Sequence, residues 1–264
     1  MESGFDLGAY LERIGHGGPL TVDLDTLTAL HRAHAFRIPF ENLDVQMGRP
    51  IRLDVPSLQR KLVGGRRGGY CFEQNTLFLA ALKAVGFDVV PCEARVRPPG
   101  APVLPRTHMA LVAHVGAHPV LCDVGFGGDG PVEPVPLTGD EVQQVGDVLR
   151  IAEEGPLLVL QGRRSGEWVD QYAFLPEERY AVDFEVASWF TSTHPESRFR
   201  KTLTAQRIGA DGRHILRGLT YAFRCGEAST SCEIPREALV PLLRDVFGID
   251  VPEDSRFEAL DGPL

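Results

Sequence analysis

The first third of the chain carries apolar residues at three- and four-residue spacing, the period of a helix with one buried face. "LGAYLERIG" and "LDTLTALHRAHAFRI" follow that pattern, with Asp25 as the candidate cap of the second. "VPSLQRKLV" predicts a shorter helix with Ser57 near its start. After Gly69 the periodicity is strongest: Cys71, Asn75, Phe78, Leu79, Leu82 and Val85 share one face, and Gly86 ends the run. From Val89 the pattern becomes short apolar or alternating runs broken by Gly and Pro: "VVPCEARVR", "HMALVAHV", "PVLCDVGF", "PLLVLQG" and "EWVDQYAFL". These predict strands of an antiparallel sheet or small barrel. "RPPGAPVLPR" is too proline-rich for either element and predicts an exposed loop. "FEVASWFTST" reads as a helix or turn, and "KTLTAQRI", "RHILRG" and "LTYAFR" as further strands. "PREALVPLLRDVFG" predicts a closing helix with Pro235 in its first turn. The expected fold class is α+β: a helical part over residues 1–88, an antiparallel β part over 89–195 and a small α/β tail over 196–264.

Composition narrows the function classes. With 264 residues, 43% of them hydrophobic and 24% charged, the chain can bury a sizeable core and reads as soluble and globular. A net charge of −9 argues against non-specific binding to nucleic acid or to an anionic membrane. No apolar run has the length to span a bilayer. The opening "MESGFDLGAYLERIG" is acidic and amphipathic, unlike a signal peptide, so a cytoplasmic location with reduced thiols is expected. Five cysteines cannot all pair within the chain, and none stands in a C-x-x-C arrangement, so no structural zinc site is expected. Cys92, Cys122, Cys225 and Cys232 lie in apolar or strand-like runs and are expected in the core.

Cys71, in "RRGGYCFEQN", is different. Two glycines permit a tight turn into the helix that begins at or near it. A thiol in the first helical turn meets the positive end of the helix dipole, and such a position with a basic neighbour favours the thiolate. Arg66 and Arg67 supply candidate neighbours; burial in the core is the competing reading. A nucleophile needs a base, and the base needs a partner that fixes its tautomer. Of eight histidines, His31 and His34 lie on a predicted helix and His16, His118 and His194 in loops, all read as surface or capping residues. His108 stands at the entry to an apolar strand, directly after the proline-rich loop. Asp123 ends another apolar strand, where a carboxylate must be paired or hydrogen-bonded. Arg95 or Arg106 could satisfy it structurally. A hairpin turning at "GAHP" puts His108 and Asp123 on one face but four residues apart, roughly 13 Å along the strand. A bulge or bend is then needed to bring them together.

Three further features are candidates for support or binding. Glu41 in "PFENL" is placed to pair with Arg67 and brace the helix bearing Cys71. Asn75, one turn beyond the thiol, could hold backbone or line a pocket. "GFGGDG" (residues 125–130) could turn its backbone N–H groups toward a pyrophosphate, although Asp129 within it would repel one. "STHP" (residues 192–195) offers hydroxyls at a possible lid edge.

Together, "HRAHAFRIPFENLDV", "RRGGYCFEQN", "RTHMALV", "LCDVGFGG" and "EVASWFTSTHP" resemble the successive signature segments of the arylamine N-acetyltransferases, in order from about residue 5 to residue 250. The resemblance implies a catalytic Cys71–His108–Asp123 triad in a helical bundle, a β-barrel and an α/β lid. It implies ping-pong acetyl transfer from acetyl-CoA, as co-substrate, to an aromatic amine or hydrazine, with no metal. By the same resemblance Phe40, Val96, Phe126 and Phe199 correspond to pocket-lining residues; Gly127 and Gly128 are candidate coenzyme contacts from the glycine-rich turn alone. Two other readings share the triad. One is an amide synthase taking a long acyl chain from an acyl carrier protein, kept in view by a C-terminus that looks short for the family. The other is a thiol amidase that uses water.

Overall fold

Acidic side chains start the first two helices. Asp6 accepts from Ala9 N–H at 2.9 Å at the head of α1 (Leu7–Ile14), and Asp23 from Thr26 N–H at 2.8 Å at the head of α2 (Leu24–Arg37). Asp23, not Asp25, is therefore the cap; Asp25 lies within the first turn. After β1 (Phe40–Glu41) and α3 (Leu43–Gln46), Asp54 caps α4 (Val55–Leu58) by accepting from Ser57 N–H, and the chain continues through a wide π-type turn, Gln59–Gly64. The structure, a computed structural model, describes residues 4–116 and 118–262. Ala117, in the anticipated "GAHP" turn, and the outermost residues of both termini lie outside them.

α5 (Cys71–Val85) is the strongest helix of the sequence reading and departs from it in one respect. Phe72, Gln74, Leu77, Ala80 and Ala81 are buried along with the anticipated face, so the helix is enclosed nearly all round. A helix apolar on every side belongs in the middle of a core. Gly86, at φ 111°, ends it.

The β part is antiparallel throughout. It comprises β2 (Asp88–Val96), β3 (His108–Val115), β4 (His118–Cys122), β5 (Val135–Pro136), β6 (Val142–Gln144), β7 (Asp147–Glu154), β8 (Leu157–Arg164) and β9 (Glu167–Phe174). Their order is β5-β4-β3-β2-β9-β8-β7-β6, and contact between β5 and β7 nearly closes the sheet into a barrel. α6 (Ala181–Thr193) and α7 (Arg198–Lys201) lead to a second antiparallel sheet. This contains β10 (Thr204–Gly209), β11 (Gly212–Arg217), β12 (Thr220–Cys225) and β13 (Ala228–Glu233), with β1 of the helical part added to its edge beside β10. α8 (Leu239–Asp245) and α9 (Glu258–Asp261) complete the chain. Pro235 falls just ahead of a short turn, Arg236–Ala238, that precedes α8.

Three apolar clusters correspond to these pieces. Leu27, Leu30, Phe72, Phe78 and Leu82 centre the first, Leu121, Leu149, Leu160 and Tyr172 the barrel, and Leu203, Leu216, Leu239 and Phe247 the last. Cys92 and Cys122 are buried, as expected. Cys225 and Cys232 are exposed, contrary to expectation, because β12 and β13 form an outer ribbon whose last strand is exposed at every residue. No described helix is long and apolar enough to cross a membrane.

His31 and His34 also depart from the reading: both are fully buried on α2. His34 bridges the Tyr10 hydroxyl at 2.9 Å and the Gln74 side-chain oxygen at 2.9 Å. Burial pulls the two rings down to about 4 (His31) and about 3 (His34), well below the 6.5 of a free imidazole. Since the unfolded chain takes up these protons first, their contribution is complete above about pH 6.5 and is lost as pH falls toward 4. Urea unfolding at a series of pH values should therefore show stability declining between about pH 6.5 and 4. His34→Gln should flatten that decline even if it lowers stability at neutral pH.

Candidate active site

The thiol is placed by close backbone approach. A Cβ at Gly68 would run into the Pro39 carbonyl oxygen, so only glycine lets the segment before α5 lie against β1. Cys71 then opens the helix, 4% exposed. A charged network braces that helix end. Arg67 donates through Nε and Nη2 to Glu41 Oε1 at 2.9 and 2.7 Å, the pairing expected from sequence. Lys61 joins Asp44 at 2.6 Å and Glu73 at 2.7 Å, and Glu73 accepts from Tyr70 N–H at 3.2 Å. Burial pushes the Glu73 carboxyl up to about 7 against the pull of Lys61. Arg67 is thus committed to Glu41 and Asp44.

The histidine and carboxylate meet without a bulge. β3 and β4 pair Leu111 with Cys122 and Val115 with His118, which sets Asp123 opposite Ala110. That is two residues from His108, about 7 Å of strand, and not the four anticipated. Two side chains leaning along one face close such a gap, and His108 Nε2 lies 2.7 Å from Asp123 Oδ2. The Cys71 thiol donates to the carbonyl of Thr107, the residue before His108, at 3.8 Å, and its presence helps raise the ring. With Nε2 engaged by the carboxylate, Nδ1 is the nitrogen left for sulfur.

Asp123 is 1% exposed, and four donors hold it as an anion. His108 Nε2 and the Tyr172 hydroxyl (2.8 Å) share Oδ2, while Asn75 Nδ2 (2.8 Å) and Gly125 N–H (2.9 Å) share Oδ1. Burial alone would raise this carboxyl, but the charge and hydrogen bond of His108, with Asn75 and Tyr172, hold it below its ordinary value. Burial likewise works to discharge the His108 ring. The charge of Asp123, their hydrogen bond and the thiol outweigh it, leaving the ring at about 10. Asn75 does more than its position suggested: it also donates to Met109 O at 2.7 Å and accepts from Val124 N–H at 3.1 Å, tying α5 to two barrel segments.

His31 and Tyr172 are the supporting residues that sequence reading missed. His31 Nδ1 lies 2.8 Å from Val132 O, and Asp123 N–H donates to His31 Nε2 at 3.0 Å. The second bond requires the proton on Nδ1, so this ring is a neutral, fixed tautomer. The signal for it was positional, since Leu27, Leu30, His31 and His34 share the buried side of α2.

The expected pocket residues fall into two groups joined by the glycine loop. Phe126 stands edge-on to His108, ring centres 5.1 Å apart, and touches Tyr172; Val96 pairs with Tyr172 across β2 and β9. Phe40 and Phe199 meet at 6.1 Å, with Tyr70 at 5.6 Å from Phe199. Gly127 lies against the Phe40 ring between the groups. Gly128 N–H donates to Gln206 Oε1 at 2.6 Å, and Asp129 is paired with Arg164 and Arg224. A cavity of about 790 Å³ lined by Ile51, Leu53, Val182, Val186 and Trp189 lies elsewhere, and none of Cys71, His108 and Asp123 borders it.

A helical unit that carries a thiol beside a histidine–carboxylate pair on an antiparallel barrel is the arrangement of a thiol-nucleophile enzyme. A model of the N-acetyltransferase family matches residues 23–256. The chain is 41% identical to an arylamine N-acetyltransferase of Mycolicibacterium smegmatis, over 93% of this chain and 92% of that protein. It is 37% identical to the Escherichia coli arylamine N-acetyltransferase, over 94% and 90%. The solved structure of Mycobacterium marinum arylamine N-acetyltransferase in complex with CoA matches with a TM-score of 0.88 at 39% identity, covering 92% of this chain and 93% of that one. The chain belongs to the arylamine N-acetyltransferase family.

Two substitutions test this construction. A Cβ at Gly125 would come within 2.8 Å of Cys71 Cα and 2.9 Å of its carbonyl oxygen, backbone atoms with nowhere to move. Gly125→Ala should lower unfolding stability by about 1–3 kcal/mol and slow reaction of the thiol with iodoacetamide. Arg67→Met leaves the fully buried Glu41 without its counter-charge and should cost about 3–5 kcal/mol in a urea titration. The double variant Glu41→Gln, Arg67→Met should recover part of that loss.

Proposed function

We propose that this protein transfers an acetyl group from acetyl-CoA to the nitrogen of an aromatic amine or arylhydrazine, through a thioester on Cys71. The observation that carries the reading is the 2.7 Å contact between His108 and Asp123, with the Cys71 thiol at the head of α5 against the residue that precedes His108. Cys71 acts as its thiolate and His108 as the imidazolium that stabilises it, a state favoured by a ring held at about 10. In the first half-reaction sulfur attacks the acetyl carbonyl carbon. The new C–S bond forms, the bond to the coenzyme sulfur breaks, and the His108 proton passes to the departing thiolate, giving CoA–SH. In the second, the amine nitrogen attacks the thioester, a C–N bond forms and the C–S bond breaks. The amine proton goes to His108, restoring the ion pair. Asp123 fixes the tautomer and stabilises the imidazolium throughout without itself taking a proton.

Phe126 beside His108 and Val96 opposite Tyr172, with Phe40 and Phe199 across the glycine loop, are the proposed walls for a flat aryl group. Their apolar surface also limits the water that would hydrolyse the acyl-enzyme. For the coenzyme, Asp129 is neutralised by Arg164 and Arg224 and does not repel a pyrophosphate, which supports a place for it near Gly127. The Gly128 N–H is already engaged by Gln206, so Gly128 contributes space more than a hydrogen bond. The matched solved structure is described as a complex with CoA, which favours a coenzyme-bound donor over a carrier-bound chain. No comparison favours the amide synthase or the amidase.

Intact-mass spectrometry after incubation with acetyl-CoA should find one acetyl group added, on Cys71, and an arylamine should discharge it much faster than water does. Cys71→Ala should take no label. Asp123→Asn should slow labelling on the order of 10⁴-fold, as loss of the orienting carboxylate does in comparable triads. Discharge by water at the rate of discharge by amine would overturn the reading.

A further inference from the structure

The loop from Gly125 to Gly130 is held at two ends by different parts of the molecule. At its start, Gly125 N–H donates to Asp123 Oδ1 at 2.9 Å, within the cluster around the carboxylate. At its far end the C-terminal sheet takes over. Gln206, on β10 and only 4% exposed, donates from Nε2 to Gly128 O at 2.6 Å and accepts from Gly128 N–H at 2.6 Å, copying one rung of a β-ladder. Arg213, on β11 and 1% exposed, donates to Gly128 O at 3.2 Å and Gly130 O at 2.7 Å while its Nε is anchored on Asp147 at 3.0 Å. Phe126, the ring that stands over His108, lies between these ends. Gln206 is also the strand partner of Phe40, whose ring meets Gly127. Both aromatic groups of the proposed acceptor pocket are therefore referenced to one buried residue, the loop through its side-chain amide and Phe40 through its strand backbone.

We propose that Gln206, supported by Arg213, is a positioning residue for the aryl acceptor: it sets the distance between the Phe126 and Phe40 walls and so the affinity for the ring, while the contacts that hold His108 and Asp123 stay in place. The separation follows from the two anchors. Loosening Gly128 frees the Phe126 side of the loop, whereas Gly125, Asn75, Tyr172 and His31 continue to hold Asp123. This inference rests on the arylamine reading above, so its test reads the clamp both with and without the reaction.

Gln206→Met removes both hydrogen bonds at nearly constant volume, and Gln206→Glu restores an acceptor for the Gly128 N–H. Hydrogen exchange followed by mass spectrometry of the 125–130 segment, without substrate, should be faster in Gln206→Met and slower again in Gln206→Glu. With acetyl-CoA as donor and aniline as acceptor, Gln206→Met should raise KM for aniline about tenfold, the loss expected for one to two buried hydrogen bonds, with kcat little changed. Acylation of Cys71 by S-acetyl-N-acetylcysteamine, a small thioester without the coenzyme's pyrophosphate, should keep its wild-type rate, as should discharge by hydrazine, which has no ring to seat. Gln206→Glu should recover part of the aniline KM. Faster exchange with an unchanged aniline KM would overturn the proposal, making the clamp purely structural. So would unchanged exchange, or equal losses with aniline and hydrazine. Should Gln206→Met fail to fold, Arg213→Lys, which keeps the charge but loses the fork to the two carbonyls, carries the same measurements. Absence of any acetyl label on wild-type Cys71 would defeat the arylamine reading itself, and the exchange data would still report on the clamp.

Discussion

One buried negative charge organises this molecule. Asp123 sits in the seam between barrel and helical core, where an unpaired carboxylate could not remain ionised. Its four donors come from β3, β9, α5 and the loop beyond its own strand, so the same contacts that keep it charged also join those pieces. The orientation of His108 follows from that charge, and the environment of the thiol follows from His108. His31 adds a fifth constraint from α2, on the backbone of Asp123 and not on its carboxylate. The proposed chemistry at sulfur thus rests on a set of fixed hydrogen bonds around Asp123, each buried and each made by a different element.

Much of this was legible in the residues. Helical periodicity located α1, α2 and α5, and the change of period at Val89 located the barrel. Cys71, His108 and Asp123 stood out because each was a reactive or charged residue in a place that packing alone did not explain. Glu41 and Arg67 were legible for the same reason. What escaped has physical causes. β13, "ASTSCE", is exposed along its whole length and carries no alternation of apolar and polar positions, so pattern could not find it or its exposed Cys232. β1 is two residues long and gains its identity from a strand more than 160 positions away. The chemical type of His31 and His34 suggests the surface, whereas their spacing from Leu27 and Leu30 puts them on the buried side. The cap of α2 was misplaced by two residues, as one acidic side chain near a helix start looks like another.

The hairpin of β3 and β4 gives a sharper lesson about register. Alternation fixes which face a residue occupies and leaves its position along the strand open in steps of two. Centring the turn one residue early turned a 13 Å separation into a gap that two side chains bridge, without altering the face of either. Parity was readable from sequence; distance depended on a turn that sequence does not specify.

The two residues of β1 have a consequence for how such a pocket can change over time. Phe40 is at once a wall of the proposed pocket, the surface on which Gly127 rests and the strand partner of Gln206. Glu41 beside it pairs with Ala205 through its backbone and with Arg67 through its carboxylate. A lineage exploring new acceptors by altering this corner would have to alter the far sheet with it, so drift there is expected to proceed by correlated steps and seldom by single ones.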